Sequence, residues 1–233
     1  VREWMRRYPY SCLEQQVSRA ITLRDEQLWR SVVAGFPSFM DADGLFKYFP
    51  TMESGSDVLS SYILAISHEA GWVLPTEVQD RVLSGLKKFV AGSLSRQSVV
   101  RTVDLSLRKL AALAALARYG QADVQLLSSI TIEPNLWPTA TVLDWWSLLS
   151  ELPEIPDQQA RLREVEQILR ARLNFQGTTL GFSTERSDNL WWLMGSTDTN
   201  AVRLLLLLLG HETWKDDLPR VLRGALARRR HGA

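Results

Sequence analysis

The distribution of apolar residues along the chain is the feature that limits its fold most. Apolar residues recur at helical spacing nearly throughout, and no segment alternates well enough to predict a strand. Four segments are apolar on almost every side, and charged, amphipathic segments lie between them. The four apolar segments are 58–69, 105–119, 140–152 and 199–209. Since a helix that is apolar on every side must be buried on every side, these four predict an inner layer and the charged helices an outer one.

Each apolar segment is led by an acidic or hydroxyl residue, which makes the arrangement periodic. The corresponding aspartates are Asp57, Asp104, Asp144 and Asp198, which lie 47, 40 and 54 residues apart. This spacing is typical of a degenerate helix-pair repeat. Such a repeat either curls into an open solenoid or closes into an α/α toroid whose inner helices line the middle. The sequence therefore predicts an all-α fold of alternating inner and outer helices.

The charge balance and the single cysteine exclude several kinds of protein. Lys and Arg together number 27 and Asp and Glu 26, which argues against a nucleic-acid binder, since that needs a large basic excess. Unbroken apolar stretches such as 204–209 are far shorter than the roughly 20 residues that span a bilayer. With Cys12 as the only cysteine, the chain can form neither an intrachain disulfide nor a zinc site built mainly from cysteines. We expect no metal and no cofactor.

The segment from Tyr8 to Gln16 reads Tyr-Pro-Tyr-Ser-Cys-Leu-Glu-Gln-Gln and carries the most chemistry. Ser11 and Glu14 have the spacing of a capping box, so a helix is expected to begin at Cys12. The positive end of the helix dipole then favours the thiolate form of Cys12. Glu14 is interpreted first as a capping residue and second as a general base that supports catalysis.

Gln15 follows Cys12 by three residues, so the two side chains emerge on the same face of the predicted helix. A thiolate held against a primary amide can attack its carbonyl carbon, expel ammonia and leave an internal thioester. Water normally prevents this reaction because it solvates both groups. The flanking Tyr8, Pro9 and Tyr10 are expected to exclude water, and Tyr8 and Tyr10 are the candidate shielding residues.

At these residues the sequence resembles the thioester-containing domain of the α2-macroglobulin and complement family. The family signature is Cys-x-Glu-Gln at a helix start, usually after Tyr-Pro-Tyr, and leucine at the second position, Leu13 here, is similar to the bacterial branch. The resemblance continues in three further segments. They are 43–50 with its helix from Ser56, the Leu-Trp-Trp of 190–192, and the Ser-Thr-Asp-Thr of 196–199.

The resemblance implies the fold and the function. It makes residues 1–233 a single α/α-toroid domain, a piece of a larger multidomain protein. It makes Cys12 the thioester sulfur and Gln15 the acyl donor. The family's members trap proteases: the exposed thioester acylates a lysine of the attacking protease and tethers it covalently, once per molecule, so the chain is not expected to be an enzyme.

Partners and location are implied in the same way. The expected partners are target proteases, which react through lysine amines, and the other domains of the same macroglobulin. Bacterial members look like periplasmic defence proteins that are anchored to the inner membrane as lipoproteins, often beside a penicillin-binding protein. No nucleic-acid partner is expected.

The sequence departs from the family pattern at two points. Complement members use a histidine that switches their preference from amines to hydroxyls, and His68, His211 and His231 do not match its position. Direct aminolysis by lysine is therefore expected. The family toroid also continues with a helix pair beyond 228–230, where this sequence ends, so an incomplete ring is expected here.

Two other functions stay open on the residues alone. An α/α barrel also occurs in enzymes such as glycoside hydrolases, which need two facing carboxylates. Asp41 and Asp43 are the candidates in this chain, although no opposing acid pairs with them. The other alternative is an inert helical scaffold in which Cys12 is a buried structural cysteine.

Overall fold

The computed structural model of the chain describes residues 2–7, 9, 11–97, 102–184, 190–209 and 211–227, with the backbone alone at 102–104 and 191. Within these residues the chain is largely helical, as predicted, and short 3₁₀ turns link the elements. The helices and strands are α1 (Arg2–Arg6), α2 (Leu13–Leu23), α3 (Glu26–Gly35), α4 (Asp57–Ala70), α5 (Thr76–Ala91), α6 (Thr102–Arg118), α7 (Thr139–Glu151), α8 (Gln158–Arg172), β1 (Leu173–Gln176), β2 (Thr179–Phe182), α9 (Thr197–Leu208) and α10 (Leu218–Ala227).

A β-hairpin follows α8, and the expectation that the chain contains no strand was wrong there. Strands β1 and β2 pair antiparallel, with Leu173 opposite Phe182 and Gln176 opposite Thr179. Gly177 in the turn has φ of 62°, a left-handed conformation that glycine adopts readily. Each strand has four residues and β1 is mostly exposed, so the alternation that marks a half-buried strand is too short to recognise in the sequence.

Residue contacts divide the chain into two compact units, Val1–Ile130 and Thr131–Gly232. In the first unit, α6 packs against both α4 and α5, and α2 packs against α3 and α4. In the second unit, α7 packs against α8 and α9, while α10 covers strand β2. The single domain over 1–233 and the closed toroid both stay predictions.

The predicted inner helices differ in how much they bury. Helix α4 buries half of its 14 residues, while α7 buries most of its residues, and so does α6 from Arg108 onward, as predicted. Helix α9 does not, because Val202 is 51% and Leu206 48% exposed. Its apolar composition predicted burial on every side, but one face is left uncovered within the part of the chain that the structure describes.

The residues expected to begin helices are only partly in those positions. Asp25 caps α3 and Ser56 caps α4, so Asp57 is the first residue of its helix. Asp144 lies inside α7, where its carboxylate is 2.5 Å from the guanidinium of Arg203. The aspartate spacing therefore does not mark equivalent helix starts, since one of its members serves an ion pair between helices.

We expect Gly224→Ala to destabilise the second unit. Helix α10 approaches β2 so closely that a Cβ at Gly224 would overlap the backbone carbonyl of Leu180. Such overpacking costs about 1–3 kcal/mol, which urea unfolding followed by circular dichroism measures. Gly195→Ala is the matched control in the same unit, because its Cβ would meet no atom closer than 3.5 Å. Equal unfolding midpoints for the two variants would contradict this close packing.

Candidate functional site

The start of α2 places Cys12 and Gln15 in one capping box. Cys12 is the residue that caps the helix, with extended backbone angles, and Gln15 is the third helical residue. The backbone N–H of Gln15 is directed at the Cys12 sulfur, while the N–H of Cys12 donates to Gln15 Oε1 at 3.3 Å. The expected box between Ser11 and Glu14 was wrong by one residue, because the helix begins at Leu13.

The loop before α4 holds this helix start in place. The N–H of Leu13 donates to the carbonyl of Tyr48 at 2.9 Å, and the Leu13 side chain is fully buried. The loop that carries Tyr48 is itself closed by Asp41, whose carboxylate accepts the N–H groups of Leu45 and Gly55 at 2.8 and 2.7 Å. The helix start is therefore anchored by a backbone hydrogen bond to a loop that Asp41 closes.

This arrangement brings the sulfur and the amide of the predicted pair onto the same helical turn. The hydrogen bond from Cys12 N–H turns the Gln15 carboxamide back toward the start of the helix. The same N–H would also stabilise negative charge on Oε1 if a nucleophile added to the amide carbon. The capping box therefore holds the sulfur and the carboxamide at the same helix start.

The protonation of Cys12 differs from the sequence-based expectation. Burial raises the pKa of the Cys12 thiol above its ordinary value, and the nearby charge of Glu14 raises the pKa further. The N–H of Gln15 lowers the pKa of the thiol, but by less than burial raises it. The helix terminus therefore does not produce a thiolate, and the sulfur carries its proton at neutral pH.

The Glu14 side chain faces the sulfur and not the helix start. Glu14 Oε2 lies 3.9 Å from Cys12 Sγ, and Oε1 accepts a hydrogen bond from Ser18 at 3.1 Å. The Ser18 hydroxyl is in turn 2.9 Å from the hydroxyl of Tyr62 on α4. Burial raises the pKa of Glu14, while the hydrogen bonds from Ser18 and Cys12 lower it by less. The interpretation of Glu14 as a capping residue was therefore wrong.

Three residues near the site were not found from the sequence. Ser18 follows Glu14 by four residues, so helical spacing could have placed it on the same face. Tyr62 comes from another helix, and Tyr48 from the loop before α4. Burial raises the pKa of Tyr48 to about 12, and the charges of Glu14 and Cys12 add to this effect. Contacts over such sequence distances leave no periodic signal.

The other predicted site residues lie away from Cys12 or outside the residues that the structure describes. Tyr8 and Tyr10, the candidate shielding residues, are outside the residues that the structure describes, as is His231. His68 packs edge-on against Tyr119, and His211 packs against Trp146. The structure brings together Cys12, Glu14 and Gln15.

The two carboxylates considered for a glycosidase, Asp41 and Asp43, instead form ion pairs with one arginine. Arg96 lies 2.6 Å from Asp41 and 2.7 Å from Asp43, so the two acids share one guanidinium. Burial would raise the pKa of Asp41, but the hydrogen bonds from Gly55, Leu45 and Arg96 bring it below its ordinary value. Asp41 therefore lacks the environment of a general acid, whose pKa is raised.

Over the described residues, no cluster of three or more His, Cys, Asp or Glu side chains could hold a metal ion. Among the helices in that part of the chain, none is both long and apolar enough to span a membrane.

Comparison with known proteins links the chain to α2-macroglobulins. No protein-family model matches it. Its sequence is 27% identical over 195 residues to the α2-macroglobulin homolog of Nostoc sp., an alignment that covers 82% of this chain and 10% of the relative. The chain is thus homologous to a protein of which it spans about a tenth.

The fold is also similar to that of solved α2-macroglobulins. The native E. coli protein matches with a TM-score of 0.67 at 17% identity, over 97% of this chain and 15% of that one. The trypsin-activated E. coli protein matches with a TM-score of 0.62 at 16% identity, over 94% of this chain and 16% of that one. The chain therefore has the fold of one region of these proteins.

Proposed function

We propose that this chain is the thioester-containing domain of a protease-trapping α2-macroglobulin, with Cys12 and Gln15 as its reacting residues. The observation that carries the proposal is the reciprocal capping box at the start of α2, which holds the sulfur and the carboxamide on one helical turn. The homology to an α2-macroglobulin supports the same reading. The closed α/α toroid and the single domain over 1–233 are part of the proposal.

The proposed bond joins Cys12 Sγ to Cδ of Gln15. The thiol loses its proton, the sulfur adds to Cδ, and the carbonyl oxygen carries the negative charge beside the Cys12 N–H. The Cδ–Nε2 bond then breaks, and ammonia leaves with the proton that the thiol gave up. Glu14 supports this step as the carboxylate next to the sulfur. Tyr8 and Tyr10 are proposed to keep water from the bond.

In the parent protein the thioester would act once, on an attacking protease. A lysine amine of the protease attacks Cδ, an amide forms, and the Cys12 thiol is released, so that the protease is covalently tethered. Trypsin-activated α2-macroglobulin of E. coli has the same fold, which supports proteases as the targets. The resemblance to bacterial members extends the proposal to a periplasmic lipoprotein in host defence, with the other macroglobulin domains and a penicillin-binding protein as partners.

Mass spectrometry of the intact chain tests the thioester. We expect the wild-type protein to be lighter than its sequence mass by one ammonia, and methylamine to add its own mass while releasing one titratable thiol. Cys12→Ala should have its full sequence mass and should not react with methylamine. A wild-type chain of full mass, with a thiol titratable from the start, would instead support the inert scaffold.

A further inference from the structure

A chain of three oxygen-bearing side chains connects α4 to the sulfur of Cys12. The Tyr62 hydroxyl lies 2.9 Å from Ser18 Oγ, Ser18 lies 3.1 Å from Glu14 Oε1, and Glu14 Oε2 lies 3.9 Å from Cys12 Sγ. All four residues belong to the first unit, and α2 packs directly against α4. The two oxygens of Glu14 therefore have separate tasks, since one accepts from Ser18 and the other faces the sulfur.

The direction of these hydrogen bonds is fixed by the number of protons available. The single hydroxyl proton of Ser18 points to Glu14, so the contact between Ser18 and Tyr62 is made with the Tyr62 proton. Tyr62 thus donates to Ser18 and Ser18 donates to Glu14. A donor that points at a carboxylate favours its charged form, so this chain supports a Glu14 that can accept a proton.

We propose that Ser18 and Tyr62 are positioning residues that hold Glu14 as the proton carrier of the Cys12–Gln15 site. The inference rests on the proposed thioester and adds to it the groups that orient its base. Tyr62 acts only through Ser18 and Glu14, because its hydroxyl bonds to Ser18. The requirement for a base follows from burial, which leaves the Cys12 sulfur protonated at neutral pH.

Glu14 would carry one proton in each direction of the chemistry. During thioester formation, Oε2 takes the thiol proton as the Sγ–Cδ bond forms, and returns it to Nε2 as the Cδ–Nε2 bond breaks and ammonia leaves. During aminolysis, Oε2 takes a proton from the attacking amine and delivers it to the sulfur as the Sγ–Cδ bond breaks. Ser18 keeps its hydrogen bond to Oε1 throughout, so the carboxylate need not rotate.

The pH dependence of the methylamine reaction tests the role of Tyr62 and Ser18. Rates are measured by thiol release from the 233-residue chain and divided by the concentration of free methylamine. They should fall as the pH drops through the pKa of Glu14, because only the carboxylate accepts a proton. Ser18→Ala removes a bond that lowers this pKa, so we expect the fall in rate to begin about one pH unit higher. Tyr62→Phe should move the pH at which the rate begins to fall in the same direction, but by a smaller amount.

Tyr119→Phe is the matched control for Tyr62→Phe. It also removes a phenol that bonds to α4, but this hydroxyl donates to the carbonyl of Leu64 and not to Ser18. Its profile should coincide with that of the wild type. A profile of Tyr62→Phe that also coincides with the wild type would overturn the positioning role, while the thioester itself would stand.

A second measurement does not depend on the thioester. The pKa of Glu14 is followed by NMR of the chain labelled with ¹³C at glutamate carboxyls, with Glu14→Gln to assign the signal. This pKa should rise in Ser18→Ala and Tyr62→Phe and stay constant in Tyr119→Phe. An unchanged pKa in Tyr62→Phe overturns the inference alone. A wild type without ammonia loss overturns the proposed function, and the inference with it.

Discussion

Replacing Gln15 by alanine is expected to abolish the incorporation of amines into the chain completely. Without the carboxamide the sulfur of Cys12 has no acyl group to take, so no thioester forms and no amine can be acylated. Biotin cadaverine is a suitable probe, because its primary amine ends an unbranched carbon chain, as in lysine. Incorporation is measured as biotin that stays on the denatured, reduced chain.

Gln16→Ala is the matched control, since it deletes the neighbouring carboxamide. The Gln16 side chain turns to the carbonyl of Ser11 and takes no part in the capping box of Cys12. This variant should incorporate the probe as the wild type does. Glycerol, a hydroxyl nucleophile, should not compete with the probe if lysine amines are the natural targets. Probe incorporation by Gln15→Ala at the wild-type level would exclude Gln15 as the acyl donor.

Replacing Asp57 by alanine is expected to destabilise the first unit by about 3–5 kcal/mol. Asp57 and Arg108 form a buried ion pair, with 2.9 Å between Arg108 Nε and Asp57 Oδ2, and both side chains are less than 5% exposed. Without the carboxylate, the guanidinium of Arg108 is left buried with no compensating charge. Urea unfolding followed by circular dichroism measures the loss.

Glu26→Ala provides the comparison for this ion pair. Glu26 bonds to Arg30 at 3.0 Å on the surface of α3, where both side chains are more than 75% exposed. Because water screens the charges of exposed ion pairs, the free energy of unfolding of this variant should fall by no more than about 1 kcal/mol. If Asp57→Ala lowered the free energy of unfolding as little as Glu26→Ala does, the buried ion pair would not stabilise the packing of α4 against α6.

Local rules account for the parts of the structure that the sequence predicted. Helices α4, α6, α7 and α9 follow from apolar periodicity, and the spacing of Cys12 and Gln15 is enough to place both on one turn. The β-hairpin was missed because its strands are short and one is mostly exposed. The exposed face of α9 was missed because apolar composition alone does not tell what covers a helix.

Several features of the candidate site could not be predicted from the sequence. The helix dipole predicted a thiolate at Cys12, but the balance between that effect and burial depends on how tightly the surroundings pack. The spacing of Glu14 from Ser11 predicts a capping box, whereas the helix begins one residue later and its box joins Cys12 to Gln15. The link from Glu14 through Ser18 to Tyr62 crosses 44 residues between its last two members and becomes visible only when α2 and α4 are in contact.

The burial of Cys12 has a consequence for redox chemistry. The thiolate is the species that attacks disulfides, so a thiol that keeps its proton at neutral pH exchanges with them slowly. Before the proposed thioester forms, the Cys12 thiol is therefore expected to form mixed disulfides with glutathione, or with the cysteine of a second copy, only slowly. Protonation that slows the proposed reaction with Gln15 also keeps the sulfur reduced until that reaction takes place.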